Sequence, residues 1–113
     1  SFNNGLQKIG IRAFHDCTSL KSITLPSSVT ETGVGVFRCC SNLREVLLND
    51  GLQKIEGSAF NSCTSLESIT LPSTVTEIGN SAFRDCSNLR KVALNDGLQK
   101  IGSCSFQNCA SLE

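Results

Sequence analysis

The side chains able to do chemistry in this chain are its seven cysteines and its single histidine; none of the 113 residues is tyrosine, tryptophan or methionine. A cysteine acts as nucleophile or metal ligand through its thiolate, or as half of a disulfide. Spacing decides among these roles. Cys17, Cys40, Cys63, Cys86 and Cys109 recur every 23 residues. Zinc sites need tight local spacing, such as Cys-x-x-Cys or paired histidines, so neither a metal nor a cofactor is expected. If the five were stacked ~5 Å apart they would fall within disulfide range, yet an odd number cannot pair fully. The column is read as reduced and buried, each thiol packing as a small hydrophobe.

Cys39 and Cys104 break the column. Cys39 holds the place of Asp16, Ser62, Asp85 and Asn108 in the other repeats, and Cys104 that of Arg12, Gly35, Ser58 and Ser81. Both places carry polar or small residues, so both thiols are expected at the surface, in tolerant loops. His15 aligns with Arg38, Asn61, Arg84 and Gln107. A Cys39–His15 dyad across adjacent repeats is conceivable, but no orienting acid beyond Asp16 and no anion hole accompanies it. The chain is therefore read as non-catalytic. Asn-x-Ser/Thr sequons are absent, so N-glycosylation is not expected.

Composition narrows the class further. Ten basic residues balance ten acidic ones, and 18% of residues are charged. This excludes a strongly basic nucleic-acid binder and an acidic disordered tail. The longest apolar run is Val46-Leu47-Leu48, far short of the ~18 residues a membrane span requires. No signal peptide is recognisable. The lack of a methionine leads us to expect a processed chain or a fragment of something longer.

What positions the cysteines is a 23-residue repeat. Phe14, Phe37, Phe60, Phe83 and Phe106 keep the same step, as do Leu20, Leu43, Leu66, Leu89 and Leu112. So do Ile23, Val46, Ile69 and Val92, then Leu25, Leu48, Leu71 and Leu94, and Leu6, Val29, Leu52, Val75 and Leu98. A 46-residue period lies on top: residues 25–43 match 71–89 at 13 of 19 positions, but match 48–66 at 4 of 19. One unit type ends its strand with Leu-Pro-Ser (25–27, 71–73), the other with Leu-Asn-Asp-Gly (48–51, 94–97), and Asn3-Asn4-Gly5 is a variant of the second.

Within a unit, Leu20-Lys21-Ser22-Ile23-Thr24-Leu25 alternates apolar and polar, which predicts a short strand. Pro26 or Asn49-Asp50-Gly51 ends it. A second extended piece follows, as in Leu52-Gln53-Lys54-Ile55. Gly10, Gly33, Gly79 and Gly102 mark a corner where a Cβ would strain the turn, with Glu56 and then Gly57 in the third unit. Ser81-Ala82-Phe83-Arg84-Asp85-Cys86 has the spacing of a single helical or 3₁₀ turn. One unit cannot bury its own apolar face, whereas stacked units join Phe, Leu, Ile and Cys into continuous internal columns.

The run Val75-Thr76-Glu77-Ile78-Gly79-Asn80-Ser81-Ala82-Phe83-Arg84-Asp85-Cys86, with Leu-Pro before it and Leu after the Cys, resembles the BspA-type (treponemal-type) leucine-rich repeat family. The departures are Val36 and Ser105 for Ala, Thr32 for Ile and Glu56 for Gly. The resemblance implies a leucine-rich-repeat solenoid of the β-rich α/β repeat class, with a parallel strand ladder on one side and short helical or 3₁₀ turns on the other. It also implies a non-catalytic, adhesion-type or protein-binding segment of a larger cell-surface or secreted protein, although reduced thiols fit an intracellular setting better. Residues 1–113 are expected to form one solenoid fragment of about five repeats, both ends truncated mid-repeat.

Parallel stacking then sets expectations for the surface. Lys8, Glu31, Lys54, Glu77 and Lys100 form an alternating charge column that fixes register, beside a polar column that begins at Gln7. The outward strand face carries Ser22, Glu45, Ser68 and Lys91 in one row, Thr24, Leu47, Thr70 and Ala93 in the next, and Arg44, Glu67 and Arg90 beside them. This face is the candidate surface for an unknown protein ligand; a spacer that binds nothing is the alternative. Uncovered end rungs are expected to pair with other chains, end to end.

Overall fold

Alternation of apolar and polar residues in a stretch too short to pair with itself forces each repeat to find hydrogen-bond partners in its neighbours. A computed structural model describes residues 8–26 and 28–112. The Asn3-Asn4-Gly5 joint, Leu6, Gln7, Ser27 and the expectations for Ser1 and Glu113 lie outside the described residues. One column of strands comprises β1 (Lys8–Ile9), β3 (Glu31–Thr32), β5 (Lys54–Ile55), β7 (Glu77–Ile78) and β9 (Lys100–Ile101). A second comprises β2 (Ser22–Thr24), β4 (Glu45–Leu47), β6 (Ser68–Thr70) and β8 (Lys91–Ala93). Every pairing is parallel and shifts by one repeat, as in Ile23 beside Val46 and Ile55 beside Ile78. The chain is thus a parallel solenoid in which one repeat makes one turn.

The core follows the columns. The five phenylalanine rings stack with centroids 5.3–5.6 Å apart and planes within 3–18° of parallel. Phe37, Phe60 and Phe83 are fully buried, while Phe14 and Phe106 at the ends are half-buried. Each column thiol from Cys40 onward donates to the carbonyl of the phenylalanine one repeat earlier: Cys40 to Phe14 (3.0 Å), Cys63 to Phe37 (3.2 Å), Cys86 to Phe60 (3.0 Å) and Cys109 to Phe83 (3.1 Å). Cysteine suits this place because it is small and apolar yet carries one weak donor.

The helical turns expected between the columns are not formed. Residues 80–85 and their equivalents are a run of tight turns. N–H groups of alternate residues bond within the turn (Ala82 to Gly79, Arg84 to Ser81, Cys86 to Phe83), while those between them reach the next repeat (Ser81 to Ser103 at 2.9 Å, Phe83 to Ser105 and Asp85 to Gln107 at 2.8 Å). Such division needs a reversal of backbone hand at every repeat. It is supplied by positive φ at Arg12, Gly35, Ser58, Ser81 and Cys104, and again at Asp16, Cys39, Ser62, Asp85 and Asn108, all between 55° and 67°. Left-handed residues break a helix, and only one of these ten is glycine. Ser62→Gly is therefore expected to be neutral or stabilising and Ser62→Val to cost ~1–2 kcal/mol, since a β-branched residue is a steric outlier there; urea unfolding midpoints of the two variants check the sign.

The corner glycines have a different reason from the strained turn expected. None of them has positive φ. A Cβ at Gly79 would instead lie 2.5 Å from the Gly57 backbone nitrogen, and one at Gly102 would lie 2.7 Å from the Gly79 carbonyl carbon. Gly33 likewise abuts the backbone of Gly10 and Ile11, whereas the space at Gly10 is open. Glycine is required where one turn's corner presses on the preceding one.

The third repeat has Glu56 at that corner, and there the ladder opens. Strand order is β1-β3, β2-β4, β6-β8 and β5-β7-β9; neither β3 and β5 nor β4 and β6 are hydrogen-bonded. Elsewhere the corner amide closes the ladder, as in Gly33 to Ile9, Gly79 to Ile55 and Gly102 to Ile78, each 2.7 Å, but no equivalent bond joins Glu56 to Thr32. The turn side stays closed through Gly35 to Gly57 (2.9 Å), Phe37 to Ala59 (2.9 Å) and Cys39 to Asn61 (2.8 Å). The second and third turns are joined along one side and parted along the other two.

Candidate protein-interaction face

The strand β2–β4 and β6–β8 pairs place the expected rows as two blocks. Ser22 sits beside Glu45 and Thr24 beside Leu47, and Ser68 sits beside Lys91 and Thr70 beside Ala93. Between the blocks the rows are interrupted by the opening of β4 from β6. Ser22, Thr24, Arg44, Glu45, Leu47, Glu67, Ser68, Thr70, Arg90 and Lys91 are exposed; Ala93 is half-buried. Leu47 is 55% exposed, which period 2 forces once Val46 turns inward. Of the flanking charges, Arg90 and Glu67 approach to 3.7 Å, while Arg44 has no ion-pair partner among the described residues.

The Leu25–Leu48–Leu71–Leu94 column is uneven, contrary to expectation. Leu25 and Leu71 are buried, Leu48 is half-buried and Leu94 is 50% exposed. The first two are covered by the next strand, with Leu25 N–H bonding the Leu47 carbonyl (2.9 Å) and Leu71 N–H that of Ala93 (3.0 Å). Leu48 meets the open boundary instead. A groove of about 650 Å³ lies there, lined among others by Arg44, Glu45, Leu47, Leu48 and Asp50 from one side and Glu67, Ser68, Thr70 and Pro72 from the other. Periodicity could not reveal this groove, because it depends on a missing ladder; the lone Glu56 among corner glycines was the signal.

The charge column pairs only in part. Lys8 meets Glu31 at 3.4 Å and Lys54 meets Glu77 at 3.2 Å, but across the open boundary Lys54 turns to Glu56 at 3.5 Å, leaving Glu31 out. The hydrogen bond to Glu77 raises the Lys54 pKa.

The thiols separate by burial. Desolvation pushes Cys40 up to about 11 and Cys86 up to about 12, and drives Cys63 higher still; Cys109 is raised for the same reason. Cys104 is exposed as expected, whereas Cys39 is half-buried and not fully at the surface. His15 Nδ1 lies 2.9 Å from Asp16 and makes no hydrogen bond to Cys39, so no dyad forms. Among the described residues no group of three or more His, Cys, Asp or Glu could hold a metal ion, and no helix is long and apolar enough to cross a membrane.

A family model described as BspA type Leucine rich repeat region matches residues 1–113 in 6 copies. A leucine-rich repeat protein from T. pallidum shares 37% identity and a TM-score of 0.92, over 95% of this chain and 50% of that one. A leucine-rich cell surface protein from Faecalibacterium prausnitzii shares 33% identity and a TM-score of 0.97, over 99% of this chain and 30% of that one. The pneumococcal vaccine antigen PcpA, at 24% identity and a TM-score of 0.69, shares the fold. No curated protein sequence matches significantly. The chain spans half the length, or less, of these solved relatives.

Proposed function

Because this chain belongs to the BspA-type leucine-rich repeat family, whose solved members include a cell surface protein, we propose that it is a non-catalytic, protein-binding surface of a larger protein displayed at the cell surface. The carrying observation is Leu47, a large aliphatic side chain 55% exposed in the strand face and ringed by Arg44, Glu45 and Glu67 at the mouth of the groove between β4 and β6. An apolar centre with a polar rim is the composition of an interaction hot spot. A spacer would show repetitive small polar residues instead, as Ser22, Thr24, Ser68 and Thr70 do; the contrast lies in Glu45, Leu47 and Lys91.

The double variant Leu47→Asp, Lys91→Glu tests it. Both side chains are exposed, so stability should change by less than ~0.5 kcal/mol. A photo-crosslinker placed at Thr70 should trap a defined extracellular protein with the native face and lose it in the double variant. Equal trapping by both would favour the spacer.

A further inference from the structure

The rupture between the second and third turns is built by one residue, and it exposes chemistry that selects a ligand. At the corner where Gly33, Gly79 and Gly102 let turns touch, Glu56 carries a Cβ that the preceding turn's backbone has no room for, judging by Gly33 and Gly79. The second turn cannot close on the third at this corner, and β3 and β5 part together with β4 and β6. Along the second break, Leu48 N–H has no hydrogen-bond partner among the described residues, although its equivalents Leu25 and Leu71 bond the next strand. The face therefore offers free backbone groups beside the apolar surface of Leu47, Leu48 and Pro72. Free backbone groups and apolar side chains in one groove suit an extended peptide.

Charge decides which peptide. Glu45 and Asp50 line the groove with no ion-pair partner among the described residues, and Glu67 is held by Arg90 only at 3.7 Å in a solvated pair. Arg44 is the single cation in the lining. Resting on the reading of this face as a protein-binding one, we infer that the groove opened by Glu56 takes an extended peptide segment in which an aliphatic side chain neighbours lysine or arginine. The aliphatic group covers Leu47, Leu48 and Pro72, the cation sits among Glu45, Asp50 and Glu67, and the ligand backbone meets the free Leu48 amide.

The test is an NMR titration of the isotope-labelled chain with two acetylated hexapeptides, one of alternating leucine and lysine, the other of alternating leucine and glutamate. The lysine peptide should shift the amides of Leu48, Ser68 and Thr70 and bind at least ~10-fold more tightly than the glutamate peptide. Glu45→Lys with Asp50→Lys should reverse that preference. Glu56→Gly should close the ladder, slow hydrogen exchange at Leu48 and residue 56, and weaken the lysine peptide by at least ~10-fold while keeping the fold. Undiminished binding in a Glu56→Gly chain whose ladder has closed overturns the wedge. Equal binding of both peptides, lost on Leu47→Asp, overturns the charge assignment and leaves the face standing. Absence of shifts on the strand face with either peptide overturns both.

Discussion

Replacing Phe60 with alanine is expected to remove ~3–5 kcal/mol of stability, against roughly half that for Phe106→Ala, whose ring is only half-buried. Phe60 is 2% exposed and stacks on Phe37 at 5.4 Å and on Phe83 at 5.3 Å. Its loss leaves a void between two rings held in place by their own turns, so the cavity cannot collapse. It falls, moreover, beside the boundary where both strand columns are already open, and there the aromatic stack and the turn-side ladder are the main ties between the second and third turns. A repeat protein with one weak interface loses cooperativity there first. Urea unfolding should show a lower midpoint, with a broadened or two-step transition, for Phe60→Ala. A drop below ~1 kcal/mol would mean that the spine does not carry the array.

Raising the pH above 9 is expected to unfold the protein through its buried thiols. In the unfolded chain these cysteines ionise near the ordinary value of 9.0, whereas in the fold Cys40 holds its proton to about 11, Cys86 to about 12 and Cys63 beyond that, all by desolvation. Between those values the folded state binds more protons than the unfolded state. Stability is therefore full below pH 9 and falls as pH rises, by ~1.4 kcal/mol per pH unit for each thiol and ~4 for the three. No tyrosine is present to contribute. Unfolding midpoints in reducing buffer from pH 7 to 10.5 should be flat and then drop steeply. Cys63→Ala should be less stable at neutral pH but show about two thirds of the slope. At neutral pH Cys104, the exposed thiol, should label first. A flat profile to pH 10.5 would place the column in contact with water.

Much of the fold can be read from residue spacing because a solenoid repeats one local solution. Phe14 to Phe106, the cysteine column and the alternation around Ile23 each name an inward position, and one step of 23 fixes the parallel register that pairs Ile23 with Val46. The outward rows follow from the same alternation. The family pattern carried by Ala-Phe-x-x-Cys and Leu-Pro is likewise local, so it was visible without coordinates.

Contacts between turns were not visible in this way. Phe and Cys at helical spacing suggested a helix, yet the left-handed backbone at Ser81 and Asp85 sends alternate amides to the next turn, a choice made by the neighbour's free carbonyls and not by propensity. The corner glycines serve close approach between turns, which only the stacked backbones reveal. Glu56 departs from the pattern by one residue, and its effect appears only when the turn before it is in place. The repeat alone determined the solenoid, its core columns and its outward rows. The tertiary structure decided where the ladder breaks, leaving Leu48 uncovered and Lys54 turned from Glu31 to Glu56 and opening the groove, because a single Cβ matters only against the atoms that another turn brings to it.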